Sequence, residues 1–122
     1  MNPLLRFLAT IPAFLFIASG LNWVINPESA ADAIGMPLLD GIARSSQIGD
    51  TGAFFMGCGL MMVLGLIRKE KIWLQAPAII IALAIIYRTL ATLLHGAPFA
   101  GTFVAIEAIS VILLFVAAKA TR

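Results

Sequence analysis

Two residues of opposite charge lie inside otherwise apolar stretches: Arg88 in IIIALAIIYRTLATLL and Glu107 in PFAGTFVAIEAISVILLFVAA. A charge near the centre of a bilayer costs at least about 2.5 kcal/mol on insertion scales, so each needs a partner, and each is the other's best candidate. A guanidinium grips carboxylates through forked hydrogen bonds. Such a pair can lock helices in register, or it can hold the head of a ligand while the carboxylate steadies the guanidinium. Proton transfer to a lipid by Glu107 or Asp50 is a third and weaker reading, because general acid–base chemistry needs more than a lone carboxylate in grease. The residues therefore lean away from an enzyme.

Apolar stretches must carry these charges. Hydrophobic residues make up 61% and charged ones 11% of the 122 residues, with a mean hydropathy of +1.04, whereas an average soluble domain is about half apolar and a quarter charged. Four runs, 4–25, 47–67, 72–94 and 99–118, are each close to the roughly 20 helical residues that cross about 30 Å of hydrocarbon. They predict an all-α fold: a single four-transmembrane-helix antiparallel bundle over residues 1–122, with no soluble domain. The first run is too long for a secretory h-region and is expected to stay as a span.

Arg6, Arg68, Lys69, Lys71, Lys119 and Arg122 lie at the N-terminus, the second connection and the C-terminus. Four spans put these on one side, which the excess of Lys and Arg predicts to be cytoplasmic. The basic pI is thus a matter of topological anchors in contact with membrane lipid, not of nucleic acid. The links 68–71 and 95–98 are short, so the helices they join should be antiparallel neighbours. The first link is long. In it, Asn26 suits an N-cap, Pro27 the first helical position, and Gly35 a stop, predicting a short interfacial helix that could serve as a lid.

Helical rise puts Arg88 about 9 Å and Glu107 about 12 Å below the same membrane face, with Asp50 about 6 Å deep. Asn22 lies near that end of span one, so every span offers one polar group at similar height. Arg88, Thr92 and His95 follow the i, i+4, i+7 spacing of one helical stripe. Arg88, Glu107, Asp50, Asn22, Thr92 and His95 are the candidate ligand-binding residues; no residue stands out as catalytic. Gly49, Ala53 and Gly57 form a stripe of small residues that suits either packing inside the bundle or a homo-oligomer contact. Pro12 should free the Leu8 carbonyl and can kink the first helix.

No metal or cofactor is expected. Cys58 is the only cysteine, and with Met56, Met61 and Met62 it reads as ordinary apolar packing before it reads as a copper site. His95 has no spaced ligands for zinc. Nucleophile elbow, P-loop and dinucleotide fingerprints are absent.

The stretches INPESAADAIG, ARSSQIGDTGAFFMGCGLMMVLGL, YRTLATLLHG and AIEAISVILL resemble small bacterial four-helix membrane proteins of unknown function related to the DoxX-like group. The match covers nearly the whole chain and is carried by Arg44, Gly49, Asp50, Arg88, Gly96 and Glu107. It implies a multi-pass protein of a bacterial inner (plasma) membrane and an architecture, but no transferable chemistry. Two functions stay open: binding or moving a small amphipathic or lipid-like ligand at the outer polar cluster, or a structural or assembly role with the cluster as a helix clasp. The first predicts an open cavity at the cluster, the second a closed, fully paired one.

Overall fold

A computed structural model describes all 122 residues and contains five helices and no strand. In chain order they are α1 (Pro3–Ile25), α2 (Pro27–Ala33), α3 (Gly41–Arg68), α4 (Ile72–His95) and α5 (Gly101–Ala120). Four of the five, all but α2, are long and apolar enough to cross a membrane, as a multi-pass membrane protein requires. Large side chains such as Phe14, Val24 and Leu93 are exposed at 72%, 77% and 73%. Water would penalise that arrangement heavily; lipid does not.

Local signals account for the helix ends. Asn2 caps α1 by accepting from the Leu5 backbone N–H, and Asn26 caps α2 by accepting from Ser29, with Pro27 at the first helical position. Gly35 and Gly96, at φ +76° and +67°, close α2 and α4 in the left-handed conformation that glycine adopts without penalty. Pro12 lies buried within α1, and the helix continues through it.

The helix containing the second apolar run begins at Gly41, not at Gln47, and takes a π turn over Gln47–Thr51. Two interactions hold this polar start: Arg44 pairs with Asp40 at 3.1 Å, and Gln47 reaches back into the preceding link. The last helix starts at Gly101 instead of 99.

Helix α1 packs against α3, α3 against α4, α4 against α5, and α5 back against α1. Arg6 meets Leu66 at one end, and Gly20 meets Met56 nearer the other, so α1 and α3 run in opposite directions. Their backbones nearly touch. A methyl group added at Gly59 would lie 2.6 Å from Ile17 Cγ1, and one at Gly20 would lie 2.9 Å from Met56 N.

The main core joins Ala9, Phe16, Cys58, Met62, Leu74, Ile81 and Leu114 with their buried neighbours. Most of these lie toward the Arg6 end, with Phe16 just past the middle of α1 against Phe54 and Phe55. In the other half, Trp23, Ala30 and Ala31 form a separate small cluster that seats α2 on α1 and α3. Phe55, half-buried, packs against both clusters.

Candidate functional site

Arg88 and Glu107 do meet. Arg88 Nε donates to Glu107 Oε1 at 2.7 Å, joining α4 to α5. Glu107 is buried, with 10% of its side chain exposed, while the Arg88 side chain remains 33% exposed. The guanidinium carbon also lies 5.1 Å from the centre of the Phe103 ring, one helical turn from Glu107. An aromatic face adds electrostatic attraction to a desolvated cation. The contact is a single charge-assisted hydrogen bond, not the forked grip on two carboxylates that the sequence suggests.

The other candidates lie elsewhere. Asp50 is exposed and takes part in no ion pair. Asn22 donates to Ser29 Oγ at 3.5 Å, facing α2 rather than α4. Thr92 Oγ1 donates to the Arg88 carbonyl at 3.3 Å, a local bond within α4. His95 is exposed at the end of that helix. The structure thus brings together Arg88 and Glu107, gives Thr92 only a backbone bond within α4, and shows no bond from Asp50, Asn22 or His95 to the pair.

Every buried side-chain nitrogen or oxygen has a hydrogen-bond partner. None of the principal cavities is lined by Arg88 or Glu107. The largest, about 730 Å³, is an open cleft over α2 lined by Glu28, Asp32 and Arg44 among others. No group of three or more potential metal ligands exists. Cys58 is buried in the apolar core beside Met62, a packing role for both.

The small-residue stripe faces outward. Nothing lies within 4 Å of a methyl group added at Gly49 or Gly57, and Ala53 is exposed. The glycines that admit neighbouring helices are instead Gly20, Gly59 and Gly65. Packing of the stripe inside the bundle is therefore corrected: that role belongs to different glycines.

One polar residue escaped the sequence reading. Gln47, buried at 6% exposure, accepts from the Leu39 backbone N–H at 2.9 Å and donates to the Pro37 carbonyl at 3.0 Å. It staples the long link to α3 and satisfies backbone groups that would otherwise be lost in an apolar setting. A lone amide at the head of an apolar run, just after a proline-containing link, was the available signal. Comparison with known proteins finds no match among protein-family models, curated proteins or solved structures.

Proposed function

We propose that this chain is a structural or assembly protein of a membrane. In this reading the four long helices form an antiparallel transmembrane bundle, α2 lies at the interface, and the Arg88–Glu107 pair is a clasp between α4 and α5. The observation that carries it is that Gly49 and Ala53 are exposed and that a methyl group added at Gly49 or at the half-buried Gly57 would meet nothing within 4 Å, leaving this face of α3 open. In lipid there is little hydrophobic force between helices, and small residues that let backbones approach closely mark a contact with another helix. A second copy of the chain is the partner, meeting α3 with α3. Neither Arg88 nor Glu107 lines a principal cavity, which supports the clasp over a ligand site.

The basic end, with Arg6, Lys69 and Arg122 around one cavity, faces the cytoplasm in this proposal, and α2 faces outward. A bacterial inner membrane, as in the DoxX-like proteins the chain resembles, is the proposed location. A single-cysteine set in a Cys58→Ala background tests contact and orientation together. Ala53→Cys is expected to give a disulfide-linked dimer in membranes under mild oxidation, and adding Gly57→Leu should suppress it. An impermeant thiol reagent should label Ala33→Cys in intact cells and spare Glu70→Cys. A persistent monomer would sink self-association, and the opposite labelling pattern would invert the topology.

A second reading, a site for the head of a small amphipathic ligand, is favoured by the one-third exposure of the Arg88 side chain. Its remaining N–H groups can bind an anionic or carbonyl oxygen. If it holds, Arg88→Gln should lose a lipid that the wild type retains in native mass spectrometry, while staying folded. Equal retention would leave only the clasp.

A further inference from the structure

At the end of the bundle opposite α2, a cavity of about 290 Å³ is lined by Met1, Arg6, Lys69, Ala120, Thr121 and Arg122. Three cationic side chains from three different parts of the chain converge on it, and no acidic side chain does. All three residues are exposed, so water screens their mutual repulsion and leaves them available to an anion. Arg6 does not float free here: Nη2 donates to the Leu66 carbonyl at 3.0 Å. That carbonyl belongs to the last turn of α3, where backbone acceptors lack helical partners and a cation is favourable. The bond holds the guanidinium in place and leaves its other N–H groups for a ligand.

Lys69 is the second observation. It ends α3 at φ +57° and ψ +43°, and it is the only non-glycine residue of the chain with positive φ. Glycine takes this position without penalty, as it does at the end of α4. Here a lysine takes it despite the strain, and that lysine lines the same cavity as Arg6.

An apolar groove completes the picture. A second cavity, about 350 Å³, lies between α1 and α3 and is lined by Thr10, Phe14, Ile17, Val63 and Ile67, and also by Arg6. The basic cavity and the apolar groove therefore share Arg6 as a lining residue, an amphipathic shape with a cationic end.

We infer that this end of the protein holds an anionic phospholipid, its phosphate against Arg6, Lys69 and Arg122 and an acyl chain along the groove between α1 and α3. Basic pockets at the cytoplasmic ends of membrane helices suit anionic head groups of this kind. This inference concerns a different end of the molecule from the α3 contact and the Arg88 pair, and does not rest on either.

The test is lipid retention by the purified full-length chain in native mass spectrometry, with phosphatidylglycerol and phosphatidylcholine as probes. Phosphatidylglycerol should be retained in preference. Lys69→Gly should lower that retention about fivefold, and Lys69→Gly with Arg6→Gln about 25-fold, as the loss of one and two near-surface cations implies. Lys69→Gly relieves the left-handed lysine, so its thermal stability should not fall, which separates binding from folding. Arg44→Gln, at the far end, should retain phosphatidylglycerol as the wild type does. Three results would overturn the site: equal retention of phosphatidylcholine, undiminished retention by the double variant, or an equal loss in Arg44→Gln. Displacement of the lipid by millimolar inorganic phosphate would assign the cavity to free phosphate and overturn the lipid assignment.

Discussion

Replacing either Arg88 or Glu107 by leucine is expected to destabilise the protein by about 3 to 5 kcal/mol, while replacing both together should restore much of the loss. The reason is asymmetric. The paired charges share a 2.7 Å hydrogen bond; Glu107 alone is a buried carboxylate with no other ion-pair partner, and Arg88 alone keeps only partial exposure and the Phe103 ring. The double variant substitutes two apolar side chains for the pair and strands nothing. Thermal unfolding in detergent across the four proteins measures the coupling. Additive losses would show that the two side chains contribute separately and would remove the clasp. Because Arg88 is one-third exposed and Glu107 only 10%, the Arg88→Leu loss should be the larger of the two: deleting the arginine leaves the more buried partner alone.

Gly59→Ala and Gly20→Ala should each cost the fold of the single chain about 1 to 3 kcal/mol, while Gly57→Ala, chemically the same change on the same helix as Gly59, should leave that fold unharmed or stabilise it by about 0.5 to 1 kcal/mol, any cost falling on the proposed α3–α3 contact instead. The difference is space. At Gly59 the added methyl meets Ile17 N at 2.9 Å and the Ala13 carbonyl at 3.3 Å, backbone atoms that cannot rotate aside, so α1 must move away from α3. At Gly57 it meets nothing within 4 Å, and only the gain in helix propensity remains. Melting of the three variants in one detergent decides it. Comparable losses at positions 57 and 59 would mean that α3 is rotated relative to the arrangement described here.

The contrast between these glycines shows why part of the molecule was legible in the chain and part was not. Hydrophobic run length depends only on composition and helical rise, so the four long helices could be read directly, as could the caps at Asn26 and Gly35, which are local backbone chemistry. The bond between Arg88 and Glu107 was also foreseeable. Two unpaired charges on helices joined by a short link have few alternatives in an apolar medium.

Azimuth was not legible. Depth along a helix follows from counting residues, but which way a side chain points relative to its neighbours depends on how each helix is rotated in the bundle. Asp50 and Asn22 share the height of Arg88 and still do not reach it. The π turn over Gln47–Thr51 shifts the register of α3 by adding a residue to a turn, and no counting at 3.6 residues per turn anticipates that. Nor does spacing tell that Gly49 and Gly57 face open space while Gly59 meets α1.

By itself, then, the sequence determined quantities that add up along one chain: apolar length, charge distribution between the two ends, and local caps. Only the tertiary structure decided which faces of those helices meet. That choice depends on fits of a few tenths of an ångström between side chains far apart in sequence, such as Ile17 with Gly59 or Leu74 with Gly65, and on whether Arg6, Lys69 and Arg122 converge on one cavity. Residue spacing within a helix carries no information about either.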